Sequence, residues 1–154
     1  MPDLSEYISK KIPDAADMCF GIVVAEKNPD IAGSLLKGAV DTLESCGALS
    51  ENIHVKTVPN ITELVYGAHQ MTLRGYYDAV IVLGCIIRGE TPYFDFVCQG
   101  LNYGISKINS ISEVPIIYGV LTTNNKEQAL QRTENTPDNV GCECARDAIK
   151  MAKF

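Results

Sequence analysis

At 154 residues, with 46% apolar and 21% charged, the chain fits one compact domain with a full buried core. A formal net charge of −6, with no Lys/Arg cluster longer than Lys10 and Lys11, excludes the electrostatic footprint of a nucleic-acid binder. No run approaches the ~18 uninterrupted apolar residues of a membrane span, and the opening MPDLSEYISKK lacks the apolar stretch of a signal peptide. A cytoplasmic protein with a small-molecule or protein partner is therefore expected.

Cys19 to Ala25 (CFGIVVA) is a short, β-branched apolar run without polar alternation, the pattern of a strand covered on both faces. Pro29 and Asp30 open a segment in which Ile31, Leu35, Leu36, Ala39, Val40 and Leu43 fall at helical spacing. Gly47 stands where that helix stops. The unit repeats: Ile53 to Val58 reads as a strand, and Ile61 to Leu73 as a helix announced by Pro59 and Asn60. Ala79 to Ile87 (AVIVLGCII) is the most apolar strand. After a break at Arg88 to Pro92, residues Phe94, Val97, Leu101, Ile105 and Ile108 mark a helix. Pro115 to Val120 is a fourth strand, and helices over Lys126 to Arg132 and Cys142 to Met151 follow, separated by a polar turn. Such alternation dictates parallel pairing with crossover helices on both sheet faces, an α/β fold of three layers with flavodoxin-like layering. In an open parallel sheet the ligand lies beyond the carboxyl ends of the strands, which directs attention to residues 25–29, 58–63, 85–93 and 118–123.

The stretch Gly84 to Gly100, GCIIRGETPYFDFVCQG, leaves a buried strand, is given backbone freedom by Gly89 and starts a helix within reach of Thr91. Free amides and the helix dipole there make an anion site, although a turn of this kind on its own is equally a structural need of a strand end. Of the six cysteines, Cys19, Cys46, Cys85 and Cys98 are scattered among apolar neighbours and only Cys142 and Cys144 are close. A CxC pair has neither the CxxC spacing of common zinc sites nor a second ligand pair, so the thiols read as buried or inert and no metal is expected. His54, in a strand, and His69, in a helix, stand away from the switch-point loops and read as surface or satisfied structural residues.

Four ordered motifs carry a resemblance. Gly84 to Gly100 is similar to the lumazine synthase loop GxxxRGxTxHFDxV, and VPIIYGVLTTNNKEQALQR (Val114 to Arg132) to that family's VPVxFGxLTTxxxEQAxxR. VVAEKN from Val23 and VPNITE from Val58 occupy the places of two further motifs, and Asn139 and Gly141 before a terminal amphipathic helix complete the match from Met18 to the end. The resemblance implies a four-stranded parallel sheet over residues 18–154 and a pentamer or a larger pentamer-based shell. Residues 1–17 would be a separate segment, with Leu4 to Ile12 adding a strand to a neighbour's sheet. It further implies active sites between adjacent subunits, where 5-amino-6-ribitylaminouracil condenses with 3,4-dihydroxy-2-butanone 4-phosphate without any cofactor.

Carried over position by position, the resemblance places Arg132, Gly89, Glu90 and Thr91 at the phosphate. It places Lys27, Ile61, Thr62, Glu63, Cys85, Ile86, Ile87 and Tyr118 at the pyrimidine. Arginine suits the first role because its planar fork pairs with an oxyanion through two hydrogen bonds. The departures are equally specific. Tyr93 stands where the family has a proton-moving histidine, and a phenol donates a hydrogen bond at neutral pH but is a poor base. Lys27 and Thr62 replace aromatic faces, each worth about 0.5–1.5 kcal/mol to a stacked ring. Asn60 and Ile61 replace small residues, and Thr136 and Val140 replace phosphate-side lysines. Two functions compete on this basis: the synthase itself, and a non-catalytic relative that serves as an assembly component or binds another ligand. A flavodoxin-like flavin carrier is weaker, because the Ser/Thr-rich phosphate loop after the first strand is absent.

Overall fold

Strand residues alternate between two hydrophobic clusters, and that alternation sets the architecture. The computed structural model describes residues 3–8 and 11–154. Its strands β1 (Phe20–Ala25), β2 (Ile53–Val58), β3 (Ala79–Ile87) and β4 (Ile116–Thr123) pair in the order β2-β1-β3-β4, all parallel. Phe20, Ile22, Ile81, Leu83 and Cys85 point to one face, where α1 (Pro29–Ser45) and α5 (Val140–Ala152) supply Ile31, Leu35, Leu43 and Ile149. Val23, Val80, Val82 and Ile86 point to the other, met by Leu64 and Met71 of α2 (Leu64–Thr72) and Val97, Leu101 and Ile105 of α3 (Tyr93–Ile111). The period of two along each strand is the cause of this division. The expected three-layer α/β/α fold with a four-stranded parallel sheet is present.

Right-handed crossovers explain the distribution of helices. The chain steps from β1 to β2 in one direction and from β2 to β3 and β4 in the other, so α1 lies on one face and α2 and α3 on the opposite one. The reversal falls between β1 and β3, and it is there that an open sheet leaves a crevice.

Element ends depart from the sequence reading for local reasons. Cys19 stays outside β1 because its amide donates to Asp78 Oδ2 at 2.7 Å. The segment expected as a helix from Ile61 opens as a 3-10 turn, Ile61–Glu63, where the Glu63 carboxylate accepts from the Asn60 amide at 2.9 Å. β4 continues past Val120 to Thr123 because Leu121, Thr122 and Thr123 pair with Cys85, Ile86 and Ile87 of the long β3.

The core takes in part of the N-terminal segment. Ala15 is fully buried, its amide donating to Cys46 O at 2.9 Å, and Ile12 packs against the same cluster. Further out, Leu4–Glu6 form a single 3-10 turn, and Leu4, Tyr7 and Ile8 are exposed. The added strand expected over residues 4–12 lies partly outside the described residues, which do not include 9 and 10. No described helix is long and apolar enough to cross a membrane.

Where α5 crosses α1 the backbones nearly touch. A Cβ on Gly141 would stand 2.0 Å from Leu35 O, and one on Gly38 would stand 2.7 Å from Asn139 Oδ1. Asn139, buried, accepts from the Gly141 amide at 2.7 Å and donates to Ser34 O and Glu134 O, both at 3.3 Å. Asn139 and Gly141 thus have a packing role that also fixes the loop after α4 (Lys126–Gln131).

Candidate active site

β1 ends at Ala25 whereas β3 runs on to Ile87, so the last residues of β3 keep β4 as a neighbour but lose β1. Into the vacated place turns Asn28, the only described non-glycine residue with positive φ (53°), and its Nδ2 donates to Cys85 O at 3.0 Å. Asparagine tolerates this left-handed backbone better than most residues do. On the other flank the Arg88 amide donates to Thr123 O at 2.8 Å. Peptide groups alternate sides along a strand, so those of Cys85 and Ile87 face the place β1 has left.

A cavity of about 170 Å³ occupies this point, lined by Lys27, Asn28, Asn60, Ile61, Cys85, Ile86, Ile87, Tyr93 and Val97. Larger hollows lie elsewhere, among them one of about 480 Å³ beside β2 and α2, one of about 590 Å³ at the opposite end of the sheet, one of about 460 Å³ between Cys46 and Arg146, and one of about 390 Å³ beside Tyr7 and Lys150. None of these contains a residue expected at the substrates, and none lies at the carboxyl ends of β1 and β3, so the smaller cavity is the candidate site.

Six of the expected pyrimidine and catalytic positions gather here: Lys27, Ile61, Cys85, Ile86, Ile87 and Tyr93. Tyr93 is the first residue of α3 and 60% exposed, placed at the cavity by the bend at Glu90–Pro92. Burial, with the Asp30 carboxylate adding, pushes the Cys85 thiol up to about 11, so it is neutral at pH 7 and not a nucleophile. Thr62 and Glu63 stand beside the cavity but not on its wall. The Glu63 oxygens accept from the Asn60 amide at 2.9 Å and the Thr62 hydroxyl at 3.0 Å, so this carboxylate caps a turn.

The phosphate positions are exposed and do not line the cavity. Among the described residues no acceptor is found for the amides of Gly89, Glu90 and Thr91, which leaves them open to an anion. The helix begins at Tyr93 with Pro92 at its cap, beyond Thr91, because proline ends the bend and favours a helix start. Gly89 is not in the left-handed region, which among the described glycines is confined to Gly47 and Gly75, since the bend itself comes one residue later. A Cβ at Gly89 would meet nothing within 4 Å.

Arg132, also exposed, turns back on its own helix, Nη1 donating to Gln128 O at 2.9 Å, and forms no ion pair among the described residues. Its main chain is held by Val140, whose amide donates to Arg132 O at 3.0 Å. Tyr118, on β4, keeps 36% of its surface, yet burial, with the Cys98 thiol adding, pushes its phenol up to about 12. Within one chain, then, the cavity gathers five of the eight expected pyrimidine positions together with Tyr93, while Thr62, Glu63, Tyr118 and Arg132 are not on its wall.

Arg88, quoted from the sequence only as part of a motif, is the most connected charge nearby. Nη1 and Nη2 donate to Asp95 Oδ2 and Oδ1 at 3.3 and 3.2 Å, Nε donates to Asn124 Oδ1 at 3.2 Å, and the guanidinium lies 4.3 Å from the Phe94 ring centroid. Asn28 and Val97 are the lining residues that sequence reasoning missed. An asparagine directly before the helix-opening Pro29 was the available signal for the first. Val97 sits one turn after Tyr93 and enters the sequence reading only through the helical spacing of Phe94 to Ile108. His54 is a satisfied structural residue: Nδ1 meets the Tyr77 hydroxyl at 2.9 Å and Nε2 the Glu51 carbonyl at 3.0 Å.

The family model for 6,7-dimethyl-8-ribityllumazine synthase matches residues 17–154. The chain is 48% identical to the 6,7-dimethyl-8-ribityllumazine synthase of Phocaeicola vulgatus over 152 residues, covering 99% of this chain and 90% of that protein. It is 51% identical to the enzyme of that name from Bacteroides fragilis over 137 residues, 89% of this chain and 96% of the other. With the Parabacteroides distasonis protein it shares 47% identity over 152 residues, 99% and 95% of the two chains. On the strength of its ordered motifs, its sheet topology and these full-length matches, the chain belongs to the 6,7-dimethyl-8-ribityllumazine synthase family.

Proposed function

We propose that this chain condenses 5-amino-6-ribitylaminouracil with 3,4-dihydroxy-2-butanone 4-phosphate to 6,7-dimethyl-8-ribityllumazine, a step of riboflavin biosynthesis, in the cytoplasm and without metal or organic cofactor. The reading is carried by the cavity at the switch point, whose wall unites Lys27, Ile61, Cys85, Ile86, Ile87 and Tyr93. Six free cysteines accord with a reducing compartment.

In this mechanism the pyrimidine lies against Ile61 and Ile86 with its edge on the peptide groups of Cys85 and Ile87, and Thr62 and Glu63 stand beside it. The free amine attacks the ketone and expels water to give an imine, inorganic phosphate is eliminated, and ring closure by the ribityl-bearing amine releases a second water. The amides of Gly89, Glu90 and Thr91 and the guanidinium of Arg132 hold the phosphate, and Tyr118 offers a ring face. Tyr93 donates a hydrogen bond at the reacting centre. Positioning supplies the greater part of the acceleration, since general acid-base help is typically worth about 10²- to 10⁴-fold.

The active form is a homopentamer, alone or built into a shell, with each site shared between neighbours. Support comes from the distribution of the parts: Tyr118 and Arg132 are absent from their own chain's cavity wall, and α3 presents Phe96 and Tyr103 to solvent at 70% and 71% exposure. A steady-state assay with both substrates tests the reaction, and a rate no higher than the uncatalysed condensation refutes it. Combining Tyr93→His with Lys27→Phe and Thr62→Phe is expected to raise that rate.

A second reading, a non-catalytic relative that joins an assembly or takes another ligand, is favoured by Lys27, a cation on the wall of the cavity without an ion-pair partner among the described residues. Calorimetry with pyrimidine substrate, flavins and inorganic phosphate separates the two, because tight binding of the pyrimidine counts against it.

A further inference from the structure

We infer that Arg88 and Asp95, braced by Asn124, are positioning residues that hold the phosphate turn and Tyr93 in register with the cavity, an inference that rests on the condensation proposed above. Residues 89–92 form a short bridge between the end of β3 and the start of α3, and its amides have no protein acceptor among the described residues. Such a bridge has few bonds of its own to fix it. Arg88 stands at its first foot and Asp95 just beyond its second, and the two-fold hydrogen bond between them, at 3.2 and 3.3 Å, closes the bridge into a loop. The planar guanidinium accepts only a narrow range of carboxylate orientations.

Two further contacts extend the clamp. Nε of Arg88 donates to Asn124 Oδ1 at 3.2 Å at the end of β4, and the Asn124 amide donates to Gln128 Oε1 at 2.8 Å in α4. The cation rests 4.3 Å from the centre of the Phe94 ring, beside Tyr93 in sequence. One guanidinium therefore joins the ends of β3 and β4, the start of α3 and, through Asn124, the helix that carries Arg132 at its end. Arg88 differs from Arg132 in this respect: three of its five N–H groups are taken by Asn124 and Asp95, whereas Arg132 uses one, on a carbonyl of its own helix. Arg88 shapes the site, and Arg132 is left for the anion.

The variants Arg88→Gln and Asp95→Asn decide the matter. A clamp requires both partners, so each is expected to raise KM for the phosphorylated ketone about tenfold while KM for the pyrimidine and the melting temperature change little. Were Arg88 instead a direct phosphate ligand, Asp95→Asn would release its charge and tighten phosphate binding, which overturns the inference. A KM within a factor of two of the unsubstituted chain in both variants overturns it as well. Hydrogen exchange reads the clamp without turnover: both variants are expected to exchange faster at the Asp95, Phe96 and Val97 amides, and unchanged exchange there refutes it. A chain that binds no substrate and turns nothing over defeats the proposed reaction. The clamp is then supported or overturned by the exchange rates alone.

Discussion

Asn28 and Cys85 stand 57 residues apart in the chain, yet the side-chain amide of the first donates to the carbonyl of the second at 3.0 Å. This bond substitutes for the ladder partner that β1 no longer provides. It needs the left-handed backbone of Asn28 (φ 53°, ψ 62°) to aim the amide back at β3.

Substitutions at Asn28 separate the two contributions. Asn28→Gly loses the hydrogen bond but keeps the backbone, and is expected to cost about 1 kcal/mol. Asn28→Ala also forces a Cβ into the left-handed region and is expected to cost about 2 kcal/mol in all. Urea unfolding measures both, and equal costs would show that backbone strain is irrelevant here.

Gly141 and Gly89 predict opposite outcomes for the same substitution. Gly141→Ala places a methyl group 2.0 Å from the Leu35 carbonyl oxygen, and backbone cannot yield cheaply, so a loss of at least ~3 kcal/mol or failure to fold is expected. Gly89→Ala meets open space with no strained φ, so stability stays within ~0.5 kcal/mol. Thermal melting distinguishes them, and comparable losses would contradict the packing at the α1–α5 crossing.

Arg132 contributes little to stability, since its guanidinium makes one bond to Gln128 O and no ion pair among the described residues. Arg132→Ala is expected to leave the unfolding free energy within ~0.5 kcal/mol and to lower kcat/KM at least ~10-fold through the lost charge-assisted bonds to phosphate. Unchanged kinetics would remove Arg132 from the site.

Alkaline unfolding follows from buried thiols. Burial, reinforced by the Asp147 and Glu143 carboxylates, pushes the Cys144 thiol up to about 12, against an ordinary value of 9.0. The raised folded value means that the native state keeps its proton longer than the unfolded chain. This contribution is complete below pH 9.0, declines as pH rises and is gone above about 12. Cys144→Ala is therefore expected to flatten the fall in melting temperature across that window, and an unaltered slope would locate the alkaline sensitivity elsewhere.

Much of this was legible in the chain itself. Runs such as AVIVLGCII read as strands covered on both faces, and the spacing of Ile31, Leu35, Ala39 and Leu43 as one face of a helix. Their alternation dictated the layered sheet, and the ordered motifs named the residues around the cavity. Boundaries set by side chains were less legible: the caps at Asn60 and Pro92 and the Asp78 bond at Cys19 each moved an element end by one to three residues.

Tertiary structure alone decided which of those residues meet. Six reach one cavity because β1 stops short of β3 and Asn28 closes the gap, whereas Tyr118 and Arg132 are not on its wall. It also turned Arg88 and Asp95 from letters of a motif into a bidentate pair, and Asn139 and Gly141 into the contact between two helices. Periodicity records which face of an element is apolar, because burial acts on each element separately. The lengths of neighbouring strands and the approach of two backbones are relations between elements, and they come into being only when the sheet and its helices are assembled.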